Sequence, residues 1–278
     1  MILWRARLVV AAVFAATPGV THSEQIGVER LADLGRADVV VLGEVHDNPV
    51  HHEQQARAIS ALSPKAVVFE MLTEAKALKV RPELIADQQA LEQTLDWGSS
   101  GWPDFAIYYP IFQAAGDAAI FGGAVPREDA RRAVSDGAAM VFGGGAALFG
   151  LHDNLDDAEQ GEREAGQVAA HCDALPVEMA AGMVEAQRLR DAALARAVVA
   201  AMAETGGPVA VITGNGHARR DWGVPRALGL VAPELSVITL GQLEAEPDRP
   251  VPYDFWLVTI PVEREDPCAG FDGGGGQD

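Results

Sequence analysis

Five short apolar runs constrain this chain more than any other feature. They are 38–42 (DVVVL), 66–69 (AVVF), 118–121 (AAIF), 209–213 (VAVIT) and 235–240 (LSVITL). None alternates apolar with polar residues, as a strand with one wet face does. Continuous, mostly β-branched runs of this length belong to strands covered on both faces. Between them lie stretches of helical character near 49–62, 104–116, 128–148 and 177–204. Strands alternating with helices predict an α/β fold, with a mostly parallel sheet flanked by helices. A further run at 254–260 (DFWLVTI) is bracketed by prolines and reads as an edge strand. Segments around 84–97 and 137–170 exceed a minimal βα repeat and read as helical insertions or a small helical subdomain. Gly143-Gly144-Gly145 reads as a joint between helices, because a phosphate loop needs a preceding strand and a Lys.

The two ends read differently from the middle. Arg5 and Arg7 precede an apolar stretch at 8–16, too short for the roughly 20 apolar residues that span a bilayer. Residues 1–23 therefore read as a signal peptide, cleaved between Ala16 and Ser23. With no cysteine near residues 15–25, the expectation is a soluble periplasmic or otherwise exported protein that meets a membrane only through its signal. Residues 24–262 read as the α/β domain and 263–278 as a disordered, glycine-rich tail. Export would let Cys172 and Cys268 persist as a disulfide, but sequence alone leaves their pairing open. The net charge of −19 argues against nucleic acid, which needs clustered Lys and Arg.

In a parallel sheet the carboxyl ends of all strands face one way, and ligands collect in the crevice beyond them. Here the first strand delivers Glu44 and His46, the second delivers Glu70, and the fourth delivers Asn215 and His217. Neutral imidazole serves equally as metal ligand or general base, and carboxylates orient imidazoles or bind metal themselves. Asp47 or Asn48 ahead of Pro49 reads as a helix cap. His51 and His52 then fall in the first helical turns, one facing the site and the other solvent. Gln187, Arg190 and Asp191 share one side of a long helix. Tyr108 and Tyr109 sit among Trp97, Trp102, Phe105 and Phe112, aromatics that could line an apolar pocket for a flat ligand, and a tyrosine can serve as axial haem ligand. His152 and His171 read as surface or structural residues.

The run Gly43-Glu44-x-His46-Asp47-Asn48-Pro49-x-His51-His52-x-Gln54-Gln55 resembles the opening of the ChaN-like haem-binding uptake family, within the Tiki, TraB and erythromycin-esterase-like grouping. Matches continue in order through Phe69-Glu70-Met71, Trp102-Pro103, Tyr109-Pro110, Pro126-Arg127, Ala186-Gln187-x-x-Arg190-Asp191 and Gly214-Asn215-Gly216-His217-Ala218-Arg219, covering roughly residues 28–240. The resemblance implies an exported protein of iron or haem uptake that binds haem, and a homodimer paired around it. It adds Gln187, Arg190 and Asp191, whose helix signature recurs in the family, to Glu44, His46, His52, Glu70, Tyr108, Tyr109, Asn215 and His217 as candidate haem contacts. Ala124-Val125-Pro126-Arg127 departs from the expected small polar residue before Pro-Arg, which weakens a role for that loop.

The same grouping holds protease-like and esterase-like members, so a second reading stands beside the first. It is a metal-dependent hydrolase with Glu44, His46, Glu70 and His217 around a divalent ion. There Glu44, His46 and His217 would be catalytic, with His46 or Glu44 activating a water and Arg190 or His217 stabilising the developing oxyanion.

Overall fold

The computed structural model describes residues 23–265 together with Cys268. The expected signal peptide, Ser23 excepted, lies outside the described residues, as does most of the expected tail. Seven strands form one sheet in the order β1-β7-β6-β2-β5-β3-β4. They are β1 (Glu24–Gln25), β2 (Val39–Glu44), β3 (Ala66–Phe69), β4 (Ala119–Gly122), β5 (Val209–Gly214), β6 (Val237–Leu243) and β7 (Phe255–Val258). Every pairing is parallel.

The β-branched runs fill both faces, as a strand's period of two requires. Val40, Leu42, Val67, Phe69, Ala210 and Ile212 point to one core. Val39, Val41, Ala66, Val68, Val209 and Val211 point to the other. The first core is closed by α1 (Pro49–Leu62) and α2 (Phe105–Ala115), where Phe112 stacks on Phe69 with ring centroids 4.4 Å apart. The second is closed by α3 (Arg127–Asp136), the long α5 (Val177–Thr205) and α6 (Val224–Val231). A further helix, α4 (Asp157–Ala170), packs on α5.

Central β2 lies between β6 and β5, and this arrangement creates the crevice. The chain leaves β2 into α1 on one face, whereas it leaves β5 toward α6 on the other. The two loops diverge, opening a gap beyond the strand ends. Asn48 starts α1 by accepting the Val50 N–H at 3.0 Å, with Pro49 in the first turn, as its sequence position predicts.

Several local features depart from expectation or settle it. The helix expected over 128–148 is broken at Gly137 and Gly143, whose φ of 84° and 74° no helix accommodates. Apolar periodicity carries no record of such breaks. Polar β1 is two residues long and leaves no periodic trace; by pairing with β7 it removes the expected edge strand from the edge. Arg264 pairs with Asp47 and Glu244, each at 2.6 Å, so the start of the expected tail is held in place. Cys172 and Cys268 form a disulfide, Cα atoms 5.3 Å apart, which closes the question the sequence left open. The segment near 84–97 forms short helices at Pro82–Ile85 and Gln88–Thr94. Among the described residues no helix is long and apolar enough to cross a membrane.

Candidate functional site

The three strand ends meet as expected, and a charge-alternating chain of side chains joins them. Glu44, at the end of β2, is 2% exposed. Its Oε1 accepts a hydrogen bond from His46 Nδ1 at 2.8 Å and from the Tyr108 hydroxyl at 2.9 Å. His52 Nδ1 lies 3.3 Å from the other oxygen. Glu70, just after β3, accepts from the Thr213 hydroxyl at 2.6 Å and the Gly214 N–H at 2.8 Å. His217, in the single helical turn Asn215–Ala218 after β5, lies between two acids. Its Nδ1 is 2.6 Å from Asp191 and its Nε2 3.5 Å from Glu70. Arg163 ends the chain, 4.0 Å from Asp191.

Burial alone would push these carboxylates up and these imidazoles down. The partners outweigh it in all but one case. Burial raises the Glu44 carboxyl, but hydrogen bonds and charge from His46 and His52 win and hold it at about 2. Burial likewise raises Glu70, and His217, His46, Thr213 and Gly214 bring it below the usual range. For His46 and His217 burial lowers basicity, yet the surrounding carboxylates leave both more basic than a free histidine. Only Asp191 is carried upward by its burial. Both ring nitrogens of His217 face carboxylates, so its favoured form is an imidazolium that donates from each. In that state it has no lone pair for iron or for a substrate proton.

His46 differs, because only Nδ1 is committed. When neutral it carries that proton toward Glu44 and keeps a lone pair on Nε2. Trp102 packs edge-on against the ring at 4.8 Å, and about a third of the side chain is exposed. The other ring edge passes over Gly214, where a Cβ would come within 2.7 Å of Nε2. Glycine at the end of β5 is therefore a condition of the imidazole's position.

Two clefts flank this chain. One, of about 500 Å³, is lined by Glu44, His46, Arg163, Asp191, Arg219 and Trp222 among others. The second, of about 540 Å³, is lined by Glu70, Lys76, Trp102, Arg127 and Arg190 among others. His46, Gln187 and His217 border both.

Several expected residues take other positions. His51 and His52 are both fully buried, which corrects the expectation that one faces solvent. The space between α1 and β7 leaves no wet side: His51 Nδ1 accepts the Val45 N–H at 2.8 Å and Nε2 meets Thr259 at 2.7 Å. His52 donates from Nε2 to the His46 carbonyl at 2.9 Å. Tyr108 is buried behind Glu44, and burial together with that carboxylate pushes its phenol far above the ordinary range. Tyr109 turns away, donating to the Ile85 carbonyl at 2.7 Å. Asn215 borders the first cleft, but its side chain clamps the backbone of Gln242 at 2.6 and 3.1 Å. Of the four aromatics expected near a pocket, Trp97, Phe105 and Phe112 are core residues and Trp102 alone reaches a cleft. His171 bonds the backbone of its own helix at Gln167.

Sequence reasoning missed Arg163, Arg219 and Trp222, where Trp222 lies beneath both guanidiniums at 5.4 and 3.6 Å. Arg219 ends the Gly214–Arg219 run, which was the available signal for it; no pattern announces Arg163, from an insertion, or Trp222, from a loop. It also undervalued the 124–127 loop, which lines the second cleft and brings Arg127 into it. Pro126-Arg127 was the available signal. Among the described residues no group of three or more His, Cys, Asp or Glu could hold a metal ion, so the divalent-metal reading gains no support. The acids and imidazoles are spent on one another.

A family profile described as haem-binding uptake, Tiki superfamily, ChaN matches residues 30–228. Among solved structures, one of cofacial haem binding to ChaN of Campylobacter jejuni superposes with a TM-score of 0.62 at 18% identity, covering 81% of this chain and 89% of that one. The type III effector HopBA1 superposes with a TM-score of 0.51 at 10% identity, covering 88% and 100%. At these identities both speak to the fold alone. No curated protein sequence matches this chain.

Proposed function

This chain belongs to the haem-binding uptake family of the Tiki superfamily that includes ChaN, and from that premise we propose that it binds haem in the crevice beyond β2, β3 and β5. A haem site needs an axial donor, apolar surface and exclusion of competing ligands. The residues present fit. The single observation that carries the reading is His46, a part-exposed imidazole whose Nδ1 is fixed by Glu44 while Nε2 has no hydrogen-bond partner among the described residues. A carboxylate behind a ligating histidine sets its tautomer and strengthens it as a donor. Trp102 and Met71 supply apolar surface beside it. Tyr108 supports Glu44 and does not meet the iron. Bound haem would supply iron as the ligand-binding centre; this chain's residues hold and orient it.

We further propose export, a role in iron or haem uptake, and a homodimer. The basic and apolar N-terminus supports export, and the disulfide suits an oxidising compartment. The Campylobacter jejuni protein binds haem cofacially, and two haems stacked between two copies of this chain is the matching arrangement.

The test is titration of the purified protein with hemin. A shifted Soret band saturating at a defined stoichiometry is expected, with His46→Ala reducing or abolishing the shift. Absence of saturable binding refutes the reading. Size-exclusion chromatography with and without hemin tests the dimer.

A further inference from the structure

We propose that the second cleft, and not the first, receives the carboxylate edge of the ligand, through Lys76, Arg127 and Arg190. The inference rests on the haem reading and adds to it the direction in which the porphyrin's two acid groups lie. Size does not choose between the clefts, at about 500 and 540 Å³. Charge does.

In the first cleft both arginines are already neutralised. Arg163 pairs with Glu159 at 3.2 Å and faces Asp191 at 4.0 Å, and Arg219 pairs with Asp221 at 2.6 Å. Glu44, Glu162 and Asp191 add acid to the same walls. An incoming carboxylate meets no free cation there.

The second cleft is the reverse. Lys76 donates only to the Asp96 carbonyl, at 3.1 Å, and Arg127 only to the Ser100 carbonyl, at 3.2 Å. Among the described residues Arg190 has no hydrogen-bond or ion-pair partner. Glu70 is the cleft's single carboxylate, and it is satisfied by Thr213, Gly214 and His217. Three cations without carboxylate partners, in a chain of net charge −19, form a local positive field against the overall sign. Guanidinium binds carboxylate through paired N–H donors, and a partly enclosed groove strengthens such contacts. Gly101, at a φ of +79° that favours glycine, lets the Arg127 guanidinium lie directly against the backbone, where a Cβ would displace it. His46 and Trp102 border the same cleft, so one ligand can reach donor, apolar surface and cations together.

The experiment compares hemin, iron-free protoporphyrin IX and protoporphyrin IX dimethyl ester on the full-length protein, read by the Soret band and by quenching of tryptophan fluorescence. The free acid should bind at least about tenfold more tightly than the ester, the gain expected from one charge-assisted contact. That preference should weaken with added salt. Arg190→Ala and Arg127→Ala should each lower affinity for both free acids and leave ester binding unchanged. Arg190→Lys should recover part of the loss. Normal hemin binding without an acid-over-ester preference overturns the inference and leaves the haem reading standing. So does loss of the preference in Arg163→Ala or Arg219→Ala instead. Failure of the wild-type protein to bind any of the three porphyrins overturns both.

Discussion

Replacing Tyr108 with Phe should destabilise the protein while leaving the hemin-induced Soret shift in place. The ring is fully buried and remains in the variant, so no cavity forms. What disappears is a hydroxyl donating to Glu44 at 2.9 Å and approaching the His46 carbonyl at 3.2 Å. His46 and His52 still hold Glu44 ionised, so a buried charge loses one donor. A hydrogen bond to a charged group contributes about 1.5–3 kcal/mol, and the buried partner left behind sets the cost near the upper end. The expected loss is therefore about 2–3 kcal/mol. For a protein of this size each kcal/mol moves Tm by about 2–4 °C, so a fall of about 4–12 °C should appear in calorimetry. Urea unfolding should show a lower midpoint at unchanged slope. The opposite pattern refutes the reasoning: stability within about 0.5 kcal/mol of wild type, together with loss of the Soret shift, would make Tyr108 an iron ligand.

Three further outcomes follow from the geometry. His51 is held at about 4, because burial disfavours its charged form. Its folded value is depressed from 6.5, so stability is intact above about 6.5 and declines as pH falls toward 4. A histidine NMR titration in which His51 charges near 6.5 contradicts this. Gly214→Ala would bring a methyl within 2.7 Å of His46 Nε2, so it should cost about 1–3 kcal/mol of stability and weaken hemin binding; unchanged affinity would separate His46 from the ligand. Removing the Cys172–Cys268 bridge, which spans 96 residues, in a double Ser variant should cost about 2–5 kcal/mol, read as the unfolding midpoint. A midpoint indifferent to both substitution and reductant would show that the cross-link contributes nothing.

Much of the fold was legible because strand burial on two faces leaves a mark no other arrangement leaves. The runs around Val40, Val67 and Val211 had to be central strands, and parallel strands had to deliver Glu44, Glu70 and His217 to one end. A cap at Asp47 or Asn48, which the structure places on Asn48, and the span of α5 were equally readable, since both follow local rules of backbone hydrogen bonding. The breaks at Gly137 and Gly143 and the short β1 were not, because each follows from a single dihedral or a distant partner.

The sequence by itself determined that Glu44, His46, Glu70 and His217 leave the sheet at one end; the tertiary structure decided which other residues join them and what each can do there. His46 and His217 are equivalent as letters, each near an acid. Only packing commits both nitrogens of His217 to Asp191 and Glu70 while leaving one nitrogen of His46 free. Tyr108 and Tyr109 are neighbours in the chain, yet a helix turns successive side chains about 100° apart, and one supports Glu44 while the other reaches Ile85. The two clefts, with their opposite charge balance, are assembled from segments far apart in the chain, such as those that bring His46, Gln187 and His217 to border both. Protonation state and ligand polarity depend on distances of a few ångströms across the fold, and periodicity along the chain does not encode them.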